Sequence, residues 1–187
     1  MTQFDKTRFT YTPLFCEENI WKLIETFNTD SQVIPLDVLF IINKSNTVAI
    51  FEQYKSSGHQ PVIWDYHVIL SAIVQQQRYI FDFDSRCRFP VKIEEYFSAT
   101  FADEKRIAED YRPCIKSINA SDYLTRFYSD RSHMINIISK TSFPAYNIIQ
   151  PDSSIQPLSL SQCRDIQNTD ASKIQSPEDY IRNNLHK

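Results

Sequence analysis

Glycine is almost absent from this chain of 187 residues, which contains only Gly58. Phosphate-binding loops of the dinucleotide and P-loop types need several residues without a Cβ, so those motifs are excluded. The chain also lacks a Cys-x-x-Cys pair, because its cysteines are far apart: Cys16, Cys87, Cys114 and Cys163. This spacing disfavours a zinc ribbon or a thioredoxin-type site and predicts free thiols in a reducing compartment.

Long apolar runs and basic blocks are missing as well. No stretch approaches the roughly 18 apolar residues of a membrane span, so we expect no membrane association. The first residues carry an acid and have no apolar core, so we expect no signal peptide. Because the formal net charge is −3 and no basic block occurs, nucleic acid is not an expected partner.

Hydrophobic periodicity predicts an α+β fold, in which an antiparallel sheet is flanked by helices within a single domain over residues 1–187. The predicted helices cover residues 17–28, 93–97, 103–110, 120–127 and 177–185. The predicted strands cover residues 36–43, 47–54, 61–74, 78–84 and 111–118. The first two strands are expected to form a hairpin, and the next two to be joined by a tight turn at 75–77. From about residue 139, frequent Ser, Asn, Gln, Pro and Asp predict mostly loop.

Cys16 lies immediately before the first helical pattern, whose opening residues are Glu17 and Glu18. The positive end of the helix dipole and the unpaired backbone N–H groups at a helix start both favour a thiolate. A lone cysteine in this position is more often a buried structural thiol, so the argument for catalysis depends on the residues that accompany it.

A histidine and two acids follow on neighbouring predicted strands. His67 lies within the apolar run 61–74, and Asp82 and Asp84 lie on the next strand. If residues 74 and 77 flank a two-residue turn, His67 faces Asp84, and Asp82 is its diagonal neighbour on the same face. Either acid can then orient His67, as a carboxylate orients the histidine of a thiol hydrolase. The register alone does not choose between them.

Other polar residues offer competing interpretations. Asp65 lies two residues from His67 on the same strand face and is a rival for orienting it. His133 is either a wall of a site or part of a capped turn in which the neighbouring Arg131 pairs with an acid. A metal site made of His67, His133 and the acids has no local ligand spacing to support it, so no metal is predicted.

Three segments read as long motifs: Phe15–Leu23, Val62–Val68 and Ser129–Met134. In this order they closely resemble the protein N-terminal glutamine amidohydrolase family, whose members are also called WDYHV-motif proteins. The resemblance extends from about residue 11 to residue 134, with weaker segments at 40–43, 81–84 and 89–90. Beyond residue 140, only Phe143–Tyr146 resembles the family.

The resemblance implies a fold akin to papain-like proteases and transglutaminases, with a catalytic triad of Cys16, His67 and Asp82. It places the triad acid at Asp82, the first acid of its pair. The implied reaction converts an N-terminal glutamine to glutamate through a thioester, releases ammonia and needs no cofactor. The implied wider role is in the N-degron pathway, where a transferase arginylates the new glutamate and the protein is degraded. We expect a monomer in the cytoplasm and also in the nucleus.

Selectivity for a chain terminus requires groups that bind the α-ammonium, so acids or carbonyls must line the pocket. Glu17, Glu18 and Asp65 are candidates for this part, and His133 is a candidate for a pocket wall. The same triad also suits a cysteine peptidase or a transglutaminase-like acyl transferase. A non-catalytic binding module would keep the fold without needing Cys16.

Overall fold

The structure is a computed structural model, and it describes residues 4–30, 32–101, 106–170 and 173–185. The strands in this part of the chain are β1 (Val33–Ile42), β2 (Val48–Ile50), β3 (Val62–Trp64), β4 (His67–Val74), β5 (Gln77–Phe81), β6 (Val91–Lys92), β7 (Cys114–Asn119), β8 (Phe127–Tyr128), β9 (Leu158–Ser159) and β10 (Ile174–Gln175). The α-helices are α1 (Cys16–Phe27), α2 (Ile93–Thr100), α3 (Ala120–Arg126), α4 (Leu160–Arg164) and α5 (Pro177–Asn184).

A six-stranded sheet in the order β10-β7-β1-β4-β5-β6 forms the centre of the fold, and its neighbouring strands are antiparallel. Two small sheets accompany it, an antiparallel pair β2-β3 and a parallel pair β8-β9. The predicted α+β class with an antiparallel sheet is therefore confirmed. The kinship with papain-like proteases and transglutaminases remains an expectation.

Both faces of the central sheet are covered by helices. Successive side chains of a strand point to opposite faces, and β1 shows this: Val38 and Phe40 join one buried apolar cluster, whereas Leu39 and Ile41 join another. The first cluster includes residues of α1 and α3, and the second includes residues of α2 and α5. The sheet is thus the middle layer of three, which explains why its strands are apolar on both faces.

Helix α1 buries one side through the apolar residues Ile20, Leu23, Ile24 and Phe27, whose spacing matches the helical period. It begins at Cys16 with no side-chain cap, and its first internal hydrogen bond runs from the Asn19 N–H to the Phe15 carbonyl. The N–H groups of the first three helical residues therefore have no partner within the helix. This leaves the start of α1 suited to negative charge.

The β4-β5 hairpin brings the candidate histidine and acids together. Val74 pairs with Gln77 across a two-residue turn, which confirms the predicted register. The ladder ends at Phe81, however, three residues earlier than predicted, so the chain leaves the sheet before it could place Asp84 opposite His67. Since β4 begins at His67 and the antiparallel β5 ends at Phe81, both residues lie at the same end of the sheet.

Two strand predictions were wrong. The predicted hairpin of 36–43 with 47–54 does not form, because β4 and β7 already occupy both edges of β1. Instead β2 pairs with β3, which is the first part of the predicted strand 61–74. That strand is interrupted at Asp65 and Tyr66, so β3 and β4 belong to different sheets.

The remaining differences concern the ends of elements and the tail. The helix predicted at 103–110 falls partly outside the described residues, and a 3₁₀ turn at Glu109–Tyr111 overlaps the end of the predicted range. The loop-rich tail contains the predicted helix, α5, and also β9, α4 and β10, of which β10 joins the central sheet. None of the helices in the described ranges is long and apolar enough to span a lipid bilayer.

Candidate active site

A pocket of about 360 Å³ opens at the end of the central sheet where α1 begins. We call it the Cys16 pocket, and its lining residues are Leu14, Cys16, Trp64, Asp65, Tyr66, Asp84, His133, Met134, Ile137 and Arg164. Of the residues predicted to take part in substrate binding, Asp65 and His133 line this pocket and Glu17 and Glu18 do not. Cys16 is the nucleophilic side chain on its wall.

His67 is fully buried behind the pocket and bonded to Asp82. Its Nε2 lies 2.8 Å from the Asp82 Oδ1, and the Trp64 ring stacks on the imidazole at a centroid distance of 5.2 Å. Its Nδ1 has no hydrogen-bond partner among the described residues. The Val68 N–H, one residue further along the chain, donates to the Cys16 thiol, so the start of β4 lies against that thiol.

Asp82 is held by four hydrogen bonds, although it is buried. Its carboxylate bonds to His67, accepts the Tyr96 hydroxyl at 2.8 Å and the Gln53 amide at 3.3 Å, and accepts the Asp84 N–H at 2.9 Å. Burial favours the neutral acid, but the charge of His67 and these hydrogen bonds outweigh it and lower the pKa of Asp82 to about 2. Asp82 is therefore ionised throughout the physiological range and favours the protonated imidazole.

The nearby carboxylates shift the pKa of His67 upward, opposite to the shift of Asp82. Burial lowers the pKa of His67, but the charge and hydrogen bond of Asp82 together with the charges of Asp84 and Glu17 raise it by more, so the net shift is upward. His67 is thus a stronger base than a free imidazole, which suits it to accept a proton from a thiol.

The Cys16 thiol is neutral in the resting site, contrary to the expectation from its place at a helix start. Burial raises the pKa of Cys16 well above its ordinary value, and the carboxylates of Glu17 and Asp84 add to the shift, which the Val68 N–H opposes. Desolvation and two nearby negative charges raise the pKa of the thiol by more than the helix start lowers it. Thiolate formation therefore requires a base.

Asp84 lines the pocket rather than orienting the histidine. Its Oδ1 accepts the Tyr11 hydroxyl at 2.7 Å, and the Tyr11 ring stacks on Phe83. The pKa of Tyr11 is raised by burial and by this bond to Asp84. Tyr11, which precedes α1, thus holds the Asp84 side chain on the wall of the pocket that Cys16 also lines.

The adjacent acids of α1 have different surroundings. Glu17 is buried, and its Oε2 accepts the Tyr66 hydroxyl at 2.9 Å and lies 3.6 Å from the Cys16 sulfur. Its Oε1 has no hydrogen-bond partner in the described structure and lies 3.5 Å from the His133 Nε2. Glu18 instead forms a buried ion pair with Arg131 at 2.9 Å. The carboxylate of Glu18 is therefore committed to holding the fold together.

The rim of the pocket carries an exposed ion pair. The side chain of Asp65 is 61% exposed, and its Oδ2 lies 3.5 Å from the Arg164 Nη2. The Arg164 guanidinium also lies over the Tyr66 ring at 4.1 Å. The carboxylate that bonds His67 is that of Asp82. The structure therefore does not support the alternative in which Asp65 orients the histidine.

Comparison with known proteins identifies the family. A sequence model of the N-terminal glutamine amidase family matches residues 11–179. The chain belongs to that family. The match extends well beyond residue 140, where the motifs fade, and includes the tail up to α5.

Curated amidase relatives are similar over part of their length. A protein N-terminal glutamine amidohydrolase from Danio rerio is 39% identical over 128 residues, which are 66% of this chain and 63% of that protein. Relatives of the same name from Bos taurus and Homo sapiens are each 38% identical over 128 residues, covering 61% and 62% of their lengths. The chain thus aligns with about three-fifths of these relatives.

Several residues around the amidase-family site carry no signal in the sequence. Tyr96 and Gln53 bond Asp82 from a helix and a loop that lie far from it in the chain, and Tyr11 bonds Asp84 across 73 positions. Leu14 lines the pocket with a backbone φ of 71°. Such partners depend on tertiary packing, and no local spacing predicts them.

The group His67, Asp82 and Asp84 is the one in the described residues whose geometry could hold a cation, with ligand atoms within 4.8 Å of one another. His67 and Asp82 already bond each other at 2.8 Å, and Asp84 accepts the Tyr11 hydroxyl. A metal ion here would have to displace these bonds.

Replacing Arg131 by methionine is expected to lower the free energy of unfolding by about 3–5 kcal/mol, because the Glu18 carboxylate would stay buried without its partner. Arg182 is the matched control: its ion pairs with Glu178 and Asp179 are exposed, so Arg182→Met should cost less than about 1 kcal/mol. Urea unfolding of both variants measures the difference. Equal losses would show that the buried pair contributes no more than a surface pair.

Proposed function

We propose that this protein is a deamidase that converts the N-terminal glutamine of a protein or peptide to glutamate. The observation that carries the proposal is the buried His67–Asp82 pair, which lies at the same end of the sheet as a pocket thiol at a helix start, in a chain of the N-terminal glutamine amidase family. The three residues supply a nucleophile, a base and the group that orients the base.

The first half of the reaction forms a thioester. His67 takes the Cys16 proton, and the sulfur attacks the side-chain amide carbon of the substrate glutamine. The resulting oxyanion is stabilised by backbone N–H groups at the start of α1, which have no partner within the helix. The His67 imidazolium then donates its proton to the amide nitrogen, the C–N bond breaks, and ammonia leaves.

The second half hydrolyses the thioester. His67 removes a proton from a water molecule, whose oxygen attacks the thioester carbon. The C–S bond breaks, the sulfur recovers a proton through His67, and the product carries a carboxyl group where the amide stood. Asp82 holds the histidine in one tautomer and stabilises its protonated form during both halves.

The carboxylates near the Cys16 sulfur are the groups that bind the α-ammonium of the substrate. Asp84 lies on the pocket wall, Glu17 lies behind it with an unpaired oxygen, and Asp65 lies at the rim. Asp84 is the best placed, since it is nearly buried and faces the pocket. A bound ammonium there offsets one of the two negative charges that keep Cys16 protonated, and substrate binding thereby promotes formation of the thiolate.

The proposed product defines the wider role. A new N-terminal glutamate is a substrate for an arginyl transferase, so we propose that the protein feeds the N-degron pathway from the cytoplasm and nucleus, acting as a monomer. The support for these parts of the proposal is the family resemblance.

A series of peptides that differ only at the first residue tests the activity through ammonia release. Glutamine should be turned over. Acetylation of the terminal glutamine should lower kcat/KM by a factor of about 10⁴, because a buried acid is left unpaired. Asparagine is one methylene shorter and should lose about 10², because its carbonyl is misplaced. Comparable turnover of acetylated or internal glutamine would instead favour a transglutaminase-like acyl transferase, and cleavage of the peptide would favour a cysteine peptidase.

Asp82→Asn should lower kcat/KM by about 10³ or more, because an orienting acid replaced by an amide favours the wrong tautomer of the histidine. Asp84→Asn is its matched control, since it makes the same change two residues away. We expect a loss of about tenfold for it, mainly through KM, as for a group that binds substrate. The reverse order of the two losses would assign the orienting part to Asp84.

A further inference from the structure

A second, larger depression of about 730 Å³ adjoins the Cys16 pocket. We call it the lateral groove. One wall is formed by residues 128–133 and the other by residues 159–168, with Asn46 at one side. His133 and Arg164 line both the groove and the Cys16 pocket, so the two are continuous at these residues.

Both walls are fixed by contacts that the proposed chemistry does not use. The parallel pair β8-β9 joins them, with Phe127 opposite Leu158. The ion pair between Glu18 and Arg131 holds the first wall, and the Arg131 guanidinium also donates to three backbone carbonyls of residues 144–147. These contacts make the groove a rigid feature of the fold.

A buried lysine holds the second wall. Lys116 of β7 donates from its ammonium to the carbonyls of Gln162 and Asp165, at 2.7 and 2.9 Å. These carbonyls lie at the end of α4, where a helix favours a cation. The segment that bears the groove is therefore tied to the central sheet.

Most of the residues that line the groove have polar side chains. They carry hydroxyl, amide or carboxylate groups, while Tyr128 and Leu160 contribute apolar surface. Such a lining suits a ligand with repeating N–H and C=O groups, which must find partners when they leave water. Arg164 and His133 lie at the junction with the Cys16 pocket, and the Arg164 guanidinium is a donor there that can meet the first carbonyl of such a ligand.

We propose that the lateral groove binds the main chain of the substrate residues that follow the terminal glutamine. The inference rests on the proposed function, because a glutamine whose side chain reaches Cys16 must continue as a polypeptide out of the pocket. The groove is continuous with the pocket, so the enzyme should discriminate by chain length as well as by the first residue.

The test compares glutamine amide with peptides of two, four and six residues that begin with glutamine. For the wild-type protein, kcat/KM should rise by about tenfold or more from the amide to the tetrapeptide and then level off, as added residues fill the groove. A kcat/KM that does not change with length would overturn the inference while leaving the proposed function intact. Absence of turnover for every compound would overturn the proposed function itself.

Two bulky substitutions test whether the dependence of kcat/KM on peptide length arises in the lateral groove. Ser161→Trp on one wall and Ser132→Trp on the other should each bring the ratio of tetrapeptide to amide kcat/KM down towards one. Ser121→Trp is the control, because Ser121 is the exposed second residue of α3, as Ser161 is of α4, and lies outside the groove. It should leave the ratio unchanged. A ratio that stays at the wild-type value in both groove variants, with folding verified by circular dichroism, would refute the assignment.

Discussion

Replacing Cys16 by alanine is expected to abolish deamidation of an N-terminal glutamine while the protein stays folded. The side chain is the nucleophile in the proposed mechanism, and loss of a covalent nucleophile costs several orders of magnitude in rate, up to about 10⁶. The fold should survive because the change removes one sulfur atom at a pocket wall, where Cys16 packs against an apolar cluster without being one of its buried members.

Cys87→Ala is the matched control, since it removes another partly exposed thiol that does not line the Cys16 pocket. It should retain wild-type turnover. Ammonia release from a glutamine-starting peptide measures both variants, with thermal unfolding as the check on folding. If purified Cys16→Ala stays within tenfold of the wild type, Cys16 has no part in the mechanism.

Replacing His67 by alanine should be as damaging as the loss of Cys16. The thiol is neutral in the resting site, since burial and two carboxylates raise the pKa of Cys16, so it needs a base to become a nucleophile. The double variant should be little worse than either single variant, because members of one catalytic unit are not additive.

The rate at which iodoacetamide alkylates Cys16 gives a second readout for His67→Ala. This rate follows the thiolate fraction, so it should fall in the variant if His67 is the base. A loss in the double variant equal to the product of the single losses, together with an unchanged alkylation rate, would show that the two residues act independently.

The sequence predicted the elements of the fold better than their connections. Helix α1, strand β4 and the β4-β5 turn follow from hydrophobic period and turn length, which are local properties. The wrong hairpin at 36–54 illustrates the limit: β2 is apolar and follows a turn, but β1 was already paired on both edges by β4 and β7. Competition for strand edges is decided by the whole sheet and leaves no local trace in the sequence.

The candidate site also combines features that the sequence predicts with features that only the complete fold determines. The register placed both Asp82 and Asp84 near His67, yet only the point at which β5 ends decides which carboxylate reaches the ring. The neighbours Glu17 and Glu18 are equivalent in a sequence motif. In the fold, Glu18 is bonded to Arg131, more than a hundred residues away, whereas Glu17 lies against the thiol. A difference of one position around a helix determines the surroundings of each acid.

The central claim is that Cys16 deamidates an N-terminal glutamine, and mass spectrometry of one peptide tests it most directly. After incubation with the wild-type protein, a glutamine-starting peptide should gain about one dalton, as hydroxyl replaces the amide nitrogen at its first residue in acyl transfer to water. Its acetylated form should keep its mass, and Cys16→Ala should leave both peptides unchanged. A glutamine-starting peptide that keeps its mass with the wild-type protein, or that is converted equally by Cys16→Ala, would contradict the account.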